Sequence, residues 1–322
     1  MAAEQVGKIS EAYPMKGGDG AYSYANNSSN QLMKLLLLSF WRGVIDTAKK
    51  LITDAIAEKL DFNSIVLSNT FRIADLGCSV GPNTIRSSAA LFTSIPPDRQ
   101  YYAAGVAGSF HSRLFPNASL HFVHSSNAIF WLSRVPKSVV DKSSHSWNKE
   151  RIHISDSEVE CFLHARAQEV ACGGLIALIT TGRPNGALYS QTLQSITYDL
   201  LGSCLMDMAK RVGNAKIVRE EEVDSFNVPT YFMSPQELVA VVNRNGEFSI
   251  ERMENLPQVK EVSNLPESQI LASHLRAAMD GLIKEHFGDV ILDELCELFR
   301  KKVEEELPLI KSGRYIDFFA LR

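Results

Sequence analysis

Long apolar runs are nearly absent from these 322 residues. The one that stands out, LMKLLLLSFW at 32–41, is shorter than the about 20 residues a bilayer span requires, so it reads as a buried or partly buried helix. Cysteine is scarce and scattered. The five (Cys78, Cys161, Cys172, Cys204, Cys296) are odd in number and include no CxxC pair. That argues against a disulfide framework or a zinc site and for a reducing, cytoplasmic setting. Positive charge is not in excess: 33 Lys and Arg stand against 37 Asp and Glu, net −4, with no basic stripe for a nucleic-acid partner. The opening MAAEQVGKISEAYPMKGGDG has no apolar signal core, and no membrane partner is expected. Internal repeats, low-complexity tracts and a clean linker are missing too, which fits one domain over 1–322.

What is present is a globular mixture, 45% hydrophobic and 22% charged. Residues 1–31 are rich in Gly, Ser, Asn and Tyr and read as an N-terminal arm; a helix is expected over roughly 32–60. Short apolar runs bounded by small or polar residues predict buried strands: the run ending at Leu76, YYAAGVAG (101–108), SLHFVHSS (119–126), GGLIALITTG (173–182) and the closing RYIDFFALR. Strands alternating with helices predict an α/β sheet covered on both faces. Roughly 185–310 turns mostly helical and reads as a cap on that sheet. Within it, SPQELVAVVNRNG has Ser234 to cap, Pro235 at the first position, Glu237 to complete a capping box and Gly246 to end the helix. In ILASHLRAAMDGLIKEHFG, Ile270, Leu271, His274, Leu275, Ala278, Leu282 and Ile283 repeat at helical spacing.

The functional signal lies in FRIADLGCSVGPNT (71–84), a strand running into a glycine-bounded notch, with Pro82 and Asn83 suited to a helical first turn. Such a turn lets backbone N–H groups approach a ligand at the sheet's C-terminal edge. The pattern is not GxGxxG, which disfavours a dinucleotide and a nicotinamide-dependent oxidoreductase. An acid ahead of the glycine suits a cationic, amino-acid-bearing nucleotide such as S-adenosylmethionine. A bare strand-to-helix turn is the alternative from spacing alone. His121 and His124 do not make a metal pair, since residues three apart on a strand face opposite sides.

PMKGGDGAYSYANNSSNQ, ADLGCSVGPNT, GVAGSFHSRLFP, HFVHSSNAIFWLSRVPK, WNKERIHI and VDSFNVPTYFMSP occur in this order. Together they resemble the SABATH family of plant methyltransferases, closest to the carboxyl methyltransferases of terpenoid and iridoid acids. The resemblance implies a Rossmann-like class I methyltransferase sheet with a mostly helical cap. It implies transfer of methyl from S-adenosylmethionine to the carboxylate of a small-molecule acid. It places Tyr24, Ser28, Asp75, Cys78, Asn83, Ser109 and Phe110 at the donor. Gln31, Asn127, Phe130 and Trp131 fall at the acceptor. Asn148, Asp224, Phe226 (through its carbonyl) and Asn227 fall where some members hold magnesium; from the residues alone DSFNVP reads as an Asx-type turn. A homodimer is also implied. No NPPY-type base-flipping motif accompanies the donor site, against a nucleic-acid substrate.

A carboxylate with a pKa near 4 is ionised at neutral pH, so its methylation needs no general base and no catalytic side chain beyond positioning. A Gln amide and a Trp indole can donate to an anion without titrating. Phe130 reads either as a bulky wall selecting an apolar acid or as simple core.

Three stretches depart from the family pattern. After Thr84 only IRSSAA precedes LFTSIPPDRQYY, where a parallel crossover needs a dozen or more residues, and the acid about 20 residues past the turn is Asp98 in a Pro-Pro turn. The ribose-binding strand and acid are therefore expected to be missing. Residues 32–41 are additional; in a continuous helix ten residues would shift the arm about 15 Å. Part of a helix is short near Ser155–Glu160. The second reading is accordingly an impaired or non-catalytic member that binds a ligand or partner.

Overall fold

The structure, a computed structural model, describes residues 39–60 (39–46 as backbone), 70–77, 102, 104–133, 135, 158–211, 218–257 and 266–321. The first helix, α1, covers Ser39–Lys59, and β1 follows at Ile73–Leu76. Then come β2 (Leu120–Ser126), α2 (Val159–Glu169), β3 (Val170–Gly182), α3 (Leu193–Lys210), α4 (Glu220–Ser225), α5 (Pro235–Asn245) and β4 (Arg252–Asn255). The chain ends with α6 (Glu267–Phe287), α7 (Leu292–Glu305), α8 (Leu307–Ser312) and β5 (Ile316–Leu321).

The described strands form a five-stranded sheet in the order β1-β2-β3-β5-β4. β1, β2 and β3 run parallel, and β5 and β4 add antiparallel pairs. This is the expected Rossmann-like sheet, with mixed rather than purely parallel pairing. Among the described residues β1 is an edge. Strand alternation sorts the side chains onto two faces. Phe122, Leu175, Ala177, Ile179 and Phe319 pack under α1 with Leu51 and Ala55. Val123, Ile176, Leu178, Phe318 and Ala320 pack under α2 and α5 with Phe162, Leu238 and Val242. A third cluster joins α3, α6 and α7 through Leu201, Leu205, Leu275, Ile283, Leu295 and Phe299.

Most local expectations hold. The Ser234 hydroxyl and Glu237 carboxylate form the capping box of α5, and Gly246 closes it at φ 73°. In α6, Ile270, Leu275, Leu282 and Ile283 are buried. Residues 101–108 are different. Among them 102 and 104–108 form no strand and are exposed, with Tyr102 at 90%. Alanine and glycine bring too little side chain to anchor a strand there. β4, reading RMEN, gave no apolar signal; it pairs at the sheet edge, where only one neighbour fixes it. His121 and His124 do part company: His121 Nδ1 accepts from the Arg72 N–H, while His124 Nδ1 meets Asp75.

Candidate active site

β1, β2 and β3 end at one edge, and the notch forms there. Gly77 follows β1 at φ 70°, a left-handed conformation. A Cβ on Gly77 would lie 2.2 Å from the Ala128 Cβ and 3.4 Å from the Phe110 ring. Only glycine therefore lets the turn after β1, the turn after β2 and the 109–115 loop converge. Three stretches far apart in sequence thus meet at this edge, beside Asp75 in β1. The Asp75 carboxylate is held by His124 Nδ1 at 2.9 Å, the two residues being register partners.

The 109–115 loop is fastened from below. On α2, Arg166 and Glu169 are completely buried and paired at 2.7 Å. Arg166 donates to the carbonyls of Phe110 (2.8 Å) and Ser112 (2.9 Å). Glu169 Oε1 accepts the N–H groups of Leu114 and Phe115, the latter at 2.8 Å. A buried ion pair is stable only when most of its remaining hydrogen-bonding capacity is used, and here backbone groups of the loop use much of it, Arg166 Nε being left without a partner among the described residues. Ser109 accepts the Ser112 hydroxyl on its carbonyl at 2.9 Å, tightening the turn.

His111 ties this loop to the opposite wall. Its ring is buried and its Nε2 lies 2.8 Å from the Trp131 carbonyl. Burial pushes its pKa below the usual histidine value, against the pull of that carbonyl and of Glu158. The ring is neutral, so the carbonyl requires the proton on Nε2. Residues 130–132 are braced from the far side as well. The Tyr231 N–H donates to the Phe130 carbonyl (2.7 Å) and the Leu132 N–H to the Pro229 carbonyl (2.8 Å), with Trp131 and Thr230 forming an isolated bridge. Glu158 takes the Ser133 N–H and hydroxyl.

With its backbone fixed on both sides, Trp131 presents a buried indole N–H that has no partner among the described residues. An unsatisfied buried donor costs free energy unless something fills it. Phe130 stacks on Phe232 with ring centroids 4.7 Å apart, at the margin of the third apolar cluster. It is both packed and partly open, so the two sequence readings of this residue are compatible. Asn127 sits at φ 53°, where asparagine is tolerated better than most residues, and its Oδ1 accepts the Thr181 N–H at 3.2 Å.

The structure thus gathers Asp75, Ser109, Phe110, Asn127, Phe130 and Trp131 around one edge. Tyr24, Ser28, Gln31, Cys78, Asn83 and Asn148 lie outside the described residues. Asp224, Phe226 and Asn227 end α4, a few residues before the segment bracing Trp131; Asn227 and Phe226 are buried. Their donors, a carboxylate, a backbone carbonyl and an amide, suit a hard cation that keeps waters. Among the described residues no group of three or more His, Cys, Asp or Glu could hold a metal. Sequence reading missed Arg166, Glu169 and His111. For Arg166 and Glu169 the signal was an Arg and a Glu three apart in CFLHARAQEV, a spacing that puts them on one face of a helix; His111 carried none.

The comparisons agree with the geometry. A model of the family "SAM dependent carboxyl methyltransferase" matches residues 10–95 and 86–321. Its two pieces meet where the sequence predicts a missing crossover. Loganic acid O-methyltransferase of Catharanthus roseus is 39% identical, over 92% of this chain and 89% of that protein. That alignment runs over 346 positions, more than the 322 residues here, so stretches of the relative face gaps in this chain. Farnesoic acid carboxyl-O-methyltransferase of Arabidopsis thaliana is 30% identical over 95% of this chain and 97% of that protein. A solved structure described as loganic acid methyltransferase with SAH superposes with TM-score 0.77 at 38% identity, covering 96% of this chain and 98% of that one. Sequence, sheet and site therefore lead to one conclusion: the chain belongs to the SAM-dependent carboxyl methyltransferases, the SABATH family.

Proposed function

We propose that this methyltransferase esterifies an apolar carboxylic acid of iridoid or terpenoid size, with the acid held by neutral donors. The observation that carries this reading is the buried indole N–H of Trp131, without a partner among the described residues, in the segment after β2 whose Ala128 meets the Gly77 turn. A lone donor without a cation suits an anion whose charge is lost in the reaction. A Lys or Arg there would hold the ground-state carboxylate more tightly than the transition state, where charge is being neutralised. Bound S-adenosylmethionine supplies an electrophilic methyl group. The chain's own residues do the rest: Gly77 and Phe110 shape the crevice, Asp75 faces the donor's amino-acid end, and Trp131 with Gln31 aims a carboxylate oxygen. Phe130 and Phe232 keep water out, so the oxygen is desolvated when aligned. Tyr24, Ser28, Cys78, Asn83 and Ser109 complete the donor set in this reading.

Magnesium belongs to the reading only as a brace: Asp224, the Phe226 carbonyl, Asn227 and Asn148 would hold it, steadying the turn ahead of Trp131. No step passes through it. We extend the proposal to a single domain with an arm at 1–31 and a cap from roughly 185–310, acting as a cytoplasmic homodimer without nucleic-acid or membrane partner. Among the described residues, no helix is long and apolar enough to cross a membrane.

The test is direct. Incubation with methyl-labelled donor and either loganic or farnesoic acid should give a base-labile methyl ester. S-adenosylhomocysteine should bind in calorimetry. No heat and no ester would overturn the reading in favour of a non-catalytic member, which nothing in the comparisons favours. The departures predict a weaker donor site than in the relative of known structure, because β1 is an edge among the described residues and the ribose-binding strand has no counterpart in the sequence. Grafting the relative's segment after Thr84 is expected to raise S-adenosylhomocysteine affinity about tenfold or more, about 1.4 kcal/mol. Unchanged affinity would refute this account of the gap.

A further inference from the structure

Asp317 is a buried carboxylate that the chemistry above does not use. It lies on β5, 1% exposed, opposite Thr181 in the register with β3. The Thr181 hydroxyl is 2.5 Å from Asp317 Oδ1 and 3.4 Å from Asn127 Oδ1, while Asp317 Oδ2 is buried with no partner among the described residues. The three side chains therefore form a row across β5, β3 and the turn after β2, ending at the acceptor pocket.

The row has a proton-counting problem. Thr181 owns one hydroxyl hydrogen, and two acceptor oxygens flank it. If Asp317 is ionised it takes that hydrogen, and the Thr181 oxygen faces the Asn127 carbonyl without a hydrogen between them. If Asp317 is protonated it donates to Thr181, and Thr181 then donates to Asn127 Oδ1. All bonds now point one way, and each polarises the next. Asn127 Oδ1 is pinned in either state by the Thr181 N–H, so its NH2 edge is the outer one. One of those hydrogens goes to Ser126 Oγ at 3.2 Å, leaving the other for the acid.

We propose that protonated Asp317 is a positioning residue that, through Thr181, turns and polarises the Asn127 amide as an additional neutral donor to the acceptor carboxylate. The proposal rests on the functional reading above, which places Asn127 in the acceptor pocket. It makes acid binding take up a proton at Asp317, by linkage between the two ends of the row. The environment suits this. Burial raises the Asp317 pKa to about 6, with Thr181 pulling the other way. The titratable group nearest along the chain is Tyr315, just before β5, pushed up to about 12 by burial and by Asp317, hence neutral. Just after β3, Arg183 lies two residues beyond Thr181 but is paired with Glu237. On the β4 side a backbone group makes the contact, the Leu256 N–H donating to the Asp317 carbonyl.

The test uses the full chain with loganic acid as probe between pH 5.5 and 8, where the probe stays ionised. For the unmodified protein, KM for the acid should rise about fivefold to tenfold across this range as Asp317 ionises, with kcat little changed, because a donor acting equally on ground and transition states shows in KM. Asp317→Asn supplies a permanent N–H to Thr181; its KM should stay flat at the low-pH value. Thr181→Ser should behave as the unmodified protein, whereas Thr181→Val should show the high KM at every pH. Calorimetry of acid binding in buffers of different ionisation enthalpy should show proton uptake near pH 7 that vanishes in Asp317→Asn. A KM in Asp317→Asn that keeps the original pH dependence overturns this proposal alone. If loganic and farnesoic acid neither bind nor react, the acceptor-site reading fails and this proposal falls with it.

Discussion

Arg166→Met should destabilise the protein by about 3–5 kcal/mol and release the donor loop, the largest effect expected of any single substitution here. Deleting one partner of a completely buried ion pair strands the other as an uncompensated charge. Glu169 would keep two backbone N–H partners but lose its counter-ion, while the carbonyls of Phe110 and Ser112 would lose theirs. Against a typical margin of about 5–15 kcal/mol, that loss consumes a large share. Chemical denaturation should show a lowered midpoint with little change in slope, and S-adenosylhomocysteine affinity should fall under conditions where the variant remains folded. If the variant is as stable as the parent, the pair does not clamp the loop as described. The double substitution Arg166→Met with Glu169→Leu should recover part of the stability, since no charge is left buried, but not the donor affinity, since the loop carbonyls and N–H groups still lack partners.

Trp131→Phe is the second. It keeps an aromatic ring in the braced segment, removes the N–H and exchanges the bicyclic indole for a smaller ring. A hydrogen bond to a charged group contributes about 1.5–3 kcal/mol, so kcat/KM for the acid should drop about tenfold to a hundredfold. The unfolding midpoint should change little, because the packing lost with the smaller ring is offset by deletion of a buried donor that has no partner among the described residues. Donor affinity should be unchanged. This combination separates a recognition role from a packing role: a packing defect would lower stability and leave the acid's kcat/KM nearly intact. His111 is unaffected, since it contacts the backbone carbonyl of residue 131 rather than its ring.

The two predictions concern the 109–115 loop and the segment after β2, and His111 is the strut between them. Its ring holds the Trp131 carbonyl from the loop that Arg166 and Glu169 clamp. The two stretches that the proposed reading places at donor and acceptor are therefore mechanically one piece, as an in-line transfer requires when positioning is the main source of rate. The Gly77 turn is the third stretch; any side chain there would collide with Ala128 and close the notch.

Much of this was determined by sequence alone. The strand ending at Leu76, the Gly77 turn and the capping box at Ser234 and Glu237 are local signals, set by a few neighbouring residues, and the structure keeps them. The expectation that neutral side chains hold the acid likewise follows from residue types and the pKa of a carboxylate. What only the tertiary structure decided depends on contacts between segments far apart in the chain. The helix pattern of α2 cannot reveal that Arg166 and Glu169 face inward to a loop more than fifty positions upstream. Nor can RYIDFFALR reveal that its one acid is buried against Thr181, because a strand's alternation fixes a face but not what covers it. The run at 101–108 shows the same limit in reverse: apolar residues by type, yet exposed, because burial belongs to the partner surface and not to the residue.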